Sequence, residues 1–425
     1  MILAPRFTRF TRGPFRLGCL LALITTSAAP AAAGDWPQIL GPERNGRVEG
    51  EPLLAWPEGG PREAWKYAAG AGFAGPVVAG ERVVIFHRQE GEERLEALDL
   101  ATGRELWRAG FPAEYRPGIN PDDGPRCVPL VHDGAVYAFG AAGDVYSVSL
   151  ADGAKRWTRN LYVDYGGDEG YFGAGSTPIV AGGKLLVNVG GREEAGLVAL
   201  ALDTGRTLWH KTEEGASYSS PVASSVAGKP AAVVSTRMSA LAIDPAEGAI
   251  LFQFPFGKRG PTVNAAMPLI VGDKLFLTAS YGIGARCDQL GPGEPRTLWA
   301  NDETLSSQYN TPIHHGGFLY GIHGREDIGT AELRCVEAAT GRVRWSETGF
   351  GVAHMIGSGD RLLILKIDGE LLLAEAGPEK FTPLARTSLT GEVYRALPAL
   401  AHGRLLVRSN RGRGDAFQCL ELPQK

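Results

Sequence analysis

A turn residue four positions ahead of a large aromatic recurs along the whole chain, and a repeat kept at one period leaves few possible folds. Gly103 precedes Trp107, Gly153 precedes Trp157, Gly205 precedes Trp209, Gly248 precedes Phe252 and Gly341 precedes Trp345. Pro61 and Pro295 take the glycine's place before Trp65 and Trp299, and a degenerate copy, "EKFTPLARTSL", puts Leu384 in the tryptophan place. A second signal keeps step. An apolar run, usually headed by proline, meets a small turn and then another apolar run, as in "GPVVAGERVVIF", "TPIVAGGKLLVNV" and "LPALAHGRLLV". Eight such copies share the 392 residues after position 33, which is 49 residues each.

Each copy reads as four strands. Strand A carries the proline, B follows the small turn, C is the run of "LEALDL" type and D carries the aromatic. Thr-Gly or Asp-Gly between C and D supplies the positive φ that a tight hairpin needs. No amphipathic helix of three turns is legible. The expected fold is all-β: an eight-bladed β-propeller of four-stranded antiparallel blades. Proline suits strand A, the inner strand, whose free edge faces the central channel. The first aromatic copy, "PREAWKY", has no A, B or C strand before it, and the chain ends in "DAFQCLEL", a C strand with no D. Together they complete one blade, so an N-terminal strand D closes the ring and removes its open edge. The tryptophans are expected to wedge between blades, whereas Trp36 and Trp56, ahead of the first copy, are expected to matter less.

The N-terminus reads differently. Arg6, Arg9, Arg12 and Arg16 precede "LGCLLALITTSAAPAAA", and Ala31 and Ala33 fit a cleavage site before Gly34. Residues 1–33 are therefore expected to be a secretory signal peptide, 34–61 an N-terminal extension and 62–425 the propeller. Cys19 does not make a lipidation box, because Arg16 sits where an apolar residue belongs and most of the apolar run follows the cysteine. Loss of the four arginines takes the formal charge from −4 to −8. An acidic chain without a basic run argues against nucleic acid or anionic lipid as partner. A periplasmic or secreted monomer follows as the expectation.

Cys127, Cys287, Cys335 and Cys419 remain in the mature chain, with none adjacent and no C-x-x-C. The last three fall on C strands of different blades, too far apart to bridge, and are expected to be small buried thiols. His314 and His315 are neighbours on a strand, so they point to opposite faces and do not readily share one metal ion. There is no G-x-S-x-G.

The stretch Ala97, Asp99, Thr102, Gly103 and Trp107 resembles the PQQ-type repeat A-x-D-x-x-T-G-x-x-x-W in full, and the copies ending in Trp209 and Trp345 resemble its second half. The chain is similar to PQQ-binding-like β-propeller repeat proteins, of the quinoprotein alcohol dehydrogenase-like superfamily, and resembles the BamB subunit of the outer-membrane protein assembly machine. The resemblance implies an eight-bladed propeller. It implies two opposed functions: a protein-binding scaffold without cofactor, or a dehydrogenase holding pyrroloquinoline quinone with calcium. The enzymes of this fold carry a vicinal Cys-Cys disulfide and a calcium site, and no adjacent cysteines exist here. The expectation is a non-catalytic envelope scaffold without cofactor, binding an envelope protein or an extracellular polymer. A carbohydrate or small-ligand binder is the alternative.

Strand direction assigns the loops to faces. A-to-B and C-to-D turns are short and share one face, where Lys184 and Lys274 lie. D-to-A and B-to-C loops are long and aromatic and share the other, so a binding site belongs there. "DYGGDEGYFGAG" is the most distinctive of them. Asp164, Asp168 and Glu169 offer oxygens to a calcium ion without EF-hand spacing, or polar contacts to a ligand, beside Tyr171. Tyr281, Tyr309, Asn310 and Arg325 complete the candidate contact set.

Overall fold

Middle strands buried on both faces, followed by a half-exposed outer strand, sort the chain into blades covered on each side by a neighbour. The structure, a computed structural model, describes Met1, Ala4 and residues 34–119, 121–168, 170–390, 392–410 and 415–424. The expected signal peptide thus lies, save Met1 and Ala4, outside the described residues. Residues 31–425 form one compact unit.

Eight four-stranded antiparallel sheets form the ring. Seven are contiguous in sequence, spanning 77–112, 130–160, 179–211, 222–255, 269–301, 313–347 and 353–388. The eighth takes Ala399–Ala401, Arg404–Ser409 and Ala416–Glu421 from the C-terminus and Arg62–Ala68 from the N-terminus. The terminal strands pair from Arg62↔Glu421 to Ala68↔Ala416, closing the ring as the sequence predicts. One short helix, Leu161–Tyr165, is capped by Asn160 and ends at Gly166 in the left-handed region.

The repeat now has a physical cause. Each tryptophan ring leans onto the next blade and its indole N–H donates to a carbonyl there. Trp65 bonds Leu100 O at 2.9 Å, Trp107 bonds Leu150 O at 2.9 Å and Trp157 bonds Leu202 O at 3.0 Å. Trp209, Trp299 and Trp345 do the same to Pro245, Ala338 and Gly377. The ring lies on the glycine of the following copy. A Cβ on Gly103 would come within 2.6 Å of Trp65, and one on Gly153 within 2.6 Å of Trp107. Glycine there serves twice: it adopts φ near +70° and leaves room for its neighbour's indole. A register shift stands at the same place in all eight C–D pairings, beside the aromatic in seven of them. The extra residue bends strand D and increases its local twist. In the degenerate copy the shift makes Ala385, paired with Leu373, the counterpart of tryptophan, and Leu384 is the extra, exposed residue. Sequence alignment across that longer C-to-D connection placed it one residue early. Cys287, Cys335 and Cys419 each sit opposite the aromatic on strand C, where four other blades have Ala or Ser and the seventh has Leu373. All four described thiols are free and buried, and burial pushes those three up to about 11.

Residues 34–56 pack into the ring, and Trp36 and Trp56, expected from sequence to matter less, are both in its core. Both are buried in the core beneath the first, seventh and eighth blades. Trp36 exchanges backbone bonds with Val78 on the first inner strand at 3.0 and 2.8 Å. Pro37 O accepts from Val131 N, and Gly46 O accepts from Gly357 N. The Glu51 carboxylate takes the N–H groups of His402 and Gly403 at 2.7 and 2.8 Å. Arg44 is fully buried and donates to Pro221 O at 2.7 Å, to Pro178 O and to Gln38. Burial disfavours its charge, and the carbonyls replace the lost water. The segment therefore runs along inner strands and A-to-B turns of most of the ring.

Candidate ligand face on the long loops

The long D-to-A and B-to-C loops carry four adjoining depressions across the third to seventh blades. The first, of about 100 Å³, lies between the third and fourth blades and includes Asp168, Tyr171, Asn188, Tyr218, Arg237 and Asn264. The largest, of about 520 Å³, includes Lys258, Arg259, Tyr281, His323 and Arg325. Thr262 belongs to both. A third, of about 280 Å³, continues from Arg325 to Lys366 and Asp368, and a fourth, of about 390 Å³, meets the largest at Lys258, Gly282 and Asp302.

Tyr281 and Arg325 come together as the sequence reading proposes. Arg325 lies 4.3 Å from the centre of the Tyr281 ring and pairs with Asp327. Gln308 Nε2 donates to the Tyr281 hydroxyl at 2.9 Å. Tyr281 adopts φ 67°. A non-glycine residue held there stores of order 1–3 kcal/mol, a strain that clusters at ligand sites. In the same cleft, Ser306 N donates to His323 Nδ1 at 3.0 Å, which leaves the imidazole proton on Nε2. Burial, then Arg334, lowers the His323 pKa, so the ring is neutral.

Tyr309 and Asn310 are brought near but face inward. The Tyr309 hydroxyl donates to Glu326 at 2.8 Å, and Arg395 holds the other Glu326 oxygen at 2.5 Å. Burial, then Glu326, pushes the phenol pKa up. Asn310 Nδ2 donates to Ala353 O at 2.8 Å and ties the sixth blade to the seventh. It also meets His354 Nδ1 at 3.2 Å, while His354 Nε2 donates to Arg395 O at 2.9 Å. Burial pulls His354 down to about 4. Its stability contribution is therefore complete above pH 6.5 and lost as pH falls toward 4. That loss is about 2 kcal/mol between pH 7.5 and pH 5. A His354→Gln variant, unable to take up that proton, is expected to lose less stability over this range in urea titrations. Buried Glu93, pushed up to about 7, acts with the opposite sign in both proteins and cancels in the comparison. Parallel pH profiles would remove His354 as the titrating group.

Asp164 is spent elsewhere, paired with Arg159 at 2.6 Å. Asp168 Oδ1 accepts from Gly170 N at 2.6 Å. Glu169 lies outside the described residues. Among the described residues, no three His, Cys, Asp or Glu side chains converge where a metal could sit. No two cysteines are adjacent in the sequence. Sequence reasoning missed Asn188, Tyr218 and Asn264, which line the first depression; the glycine-rich loop opposite them was the available signal.

A family profile described as outer membrane protein assembly factor BamB matches residues 49–172 and 92–347. The BamB of Alkalilimnicola ehrlichii is 30% identical over 157 residues, which is 36% of this chain and only 36% of that relative's length. The BamB of Burkholderia pseudomallei is 21% identical over 294 residues, 59% of this chain and 72% of that one. Among solved structures, BamB from Moraxella catarrhalis superposes with TM-score 0.62 at 14% identity, covering 86% of this chain and 98% of that one. Quinohemoprotein alcohol dehydrogenase from Comamonas testosteroni superposes with TM-score 0.66 at 14% identity, covering 93% and 83%. At such identities the structural likeness speaks to the fold alone, which scaffold and enzyme share. The profile spans most of the chain, and with the repeat geometry it places this chain in the outer membrane protein assembly factor BamB family.

Proposed function

We propose that this chain is a non-catalytic scaffold of the cell envelope, periplasmic or secreted, that docks a protein partner in outer-membrane protein assembly through its long-loop face. The carrying observation is the run of linked depressions on that face, centred on Tyr281 and Arg325. The inner strands and A-to-B turns are already engaged by residues 34–56. Exposed apolar side chains support the same face: Ile119, Val163, Tyr171 and Ile328 all project from its loops. Aromatic and arginine anchors in a depression with an apolar surround suit protein recognition. The family description, an assembly factor, agrees with that reading. No described helix is long and apolar enough to cross a membrane.

The test is direct binding to the outer-membrane assembly machine purified from the source organism. Tyr281→Ala and Arg325→Ala are expected to weaken binding at least tenfold, about 1.4 kcal/mol. Lys184→Ala and Lys274→Ala, at the short turns, are expected to leave it unchanged. Equal losses from the two faces would refute the assignment.

A further inference from the structure

The largest depression on the long-loop face is lined by three cations against one carboxylate, in a chain that is acidic as a whole. Lys258, Arg259 and Arg325 border it with Asp302, whereas the formal charge of the chain is −4. Asp302 is engaged within the protein, where its Oδ1 accepts from the Ser306 hydroxyl at 2.6 Å. Arg325 is paired with Asp327. Lys258 and Arg259 are exposed, and among the described residues no carboxylate pairs with either. The uncommitted charge of the cleft is therefore theirs.

The fold braces the loop that carries it. Lys258 and Arg259 follow strand Ile250–Pro255 of the fourth blade. Arg237, on the B-to-C loop of the same blade, donates to Lys258 O at 3.1 Å, to Gly260 O at 2.7 Å and to Thr262 Oγ1 at 2.8 Å. The Thr262 hydroxyl donates in turn to Lys258 O at 2.9 Å. The backbone is thus tied on both sides of Arg259. A Cβ on Gly282 would come within 3.2 Å of Lys258 Nζ. The ammonium therefore stands beside Gly282, where the largest depression meets the fourth. A cation on a braced loop has less freedom to lose on binding.

Apolar side chains adjoin the cations. Ile328, 59% exposed, lies on the loop between Arg325 and Thr330, which both border the cleft. Ile283 lines the fourth depression with Lys258, and Tyr281 lines the largest. A phosphate polymer or an acidic polysaccharide brings charge without aliphatic side chains. A peptide with carboxylate and aliphatic side chains matches both halves of the surface. We infer that the cleft docks an acidic segment of the protein partner, with Lys258 and Arg259 meeting its carboxylates and Tyr281 and Ile328 its aliphatic side chains. The inference rests on the reading of this face as a protein-docking surface and names the chemistry of the partner. Complementary charge of this kind also selects the partner and speeds its encounter.

Fluorescence polarisation on the full mature chain tests it. The probe is a labelled peptide of glutamate, aspartate and leucine, compared with the same peptide carrying glutamine and asparagine in place of the acids. The acidic peptide is expected to bind, and the amide peptide to bind at least about tenfold more weakly. Lys258→Gln/Arg259→Gln is expected to weaken the acidic peptide about tenfold, with the melting temperature unchanged because both side chains are exposed. Raising salt from about 0.05 to about 0.5 M is expected to weaken it several-fold by screening. Equal binding of the two peptides, no binding of either, or a double variant that binds like wild type would overturn the inference. So would polyphosphate displacing the probe at lower concentration than unlabelled acidic peptide does. Binding to the purified assembly machine separates the inference from the docking reading. Loss in Tyr281→Ala with full binding in the double variant would overturn the acidic segment and leave protein docking standing. Full binding in Tyr281→Ala, Arg325→Ala and the double variant alike would remove the docking reading, and the inference with it.

Discussion

A chain ending at Asp415 is expected to aggregate and to show no cooperative thermal transition. Strand Ala416–Glu421 lies between Arg404–Ser409 and Arg62–Ala68 in the eighth blade. Its removal strands the N-terminal strand and bares the edge of Arg404–Ser409. Unpaired edges invite intermolecular pairing. It also removes Phe417, Cys419, Leu420 and Leu422, all buried. At about 1.5–3 kcal/mol for each large apolar side chain, the three non-thiol residues alone supply roughly 5–9 kcal/mol. That is comparable to the roughly 5–15 kcal/mol that holds a whole domain folded. The buried Arg408, whose guanidinium lies 5.2 Å from the Phe417 ring centre, loses its cover as well. Size-exclusion chromatography with circular dichroism decides the matter. A monomeric truncation melting like the full chain would mean that the ring does not depend on this closure.

That closure was legible because it is written in the repeat itself, as a D strand with no blade before it and a C strand with no D after it. The blade-to-blade docking was equally legible, since turn glycines and ring-bearing strands leave local signatures. What escaped had no local signature. Residues 34–56 keep no period, and their contacts, such as Glu51 with His402, join positions more than three hundred residues apart. Arg44 carries a charge, which in a sequence reads as a surface residue; the Gln38 side chain and the carbonyls of Pro178 and Pro221 make its burial possible. The site divides the same way. Tyr281 and Arg325 announced themselves by residue type and loop position, and the fold brings them together. Asp164 had the right type and sequence neighbourhood, but the helix 161–165 presents it to Arg159.

Trp36→Ala is expected to cost as much as Trp107→Ala, about 3–5 kcal/mol each as large-to-small core changes. Trp107 docks the first blade onto the second, so its loss opens a cavity and leaves the Leu150 carbonyl without its indole donor. The unpaired carbonyl puts this variant toward the upper part of that range. Trp36 is more deeply buried, at 1% against 7% for Trp107. Its ring packs on Gly41, where an added Cβ would come within 3.1 Å, and its backbone is held by Val78. It anchors the entire 34–56 segment, including Arg44 and Glu51, to the first blade. Losing that anchor therefore loosens contacts to several blades at once, whereas losing Trp107 loosens one seam. Urea titrations of the two variants beside wild type check this, read as a shift of midpoint at unchanged slope. A Trp36→Ala midpoint equal to wild type, with Trp107→Ala strongly shifted, would return residues 34–56 to the status of a dispensable extension. Equal shifts would make the segment as much a part of the propeller's stability as the repeat that first revealed the fold.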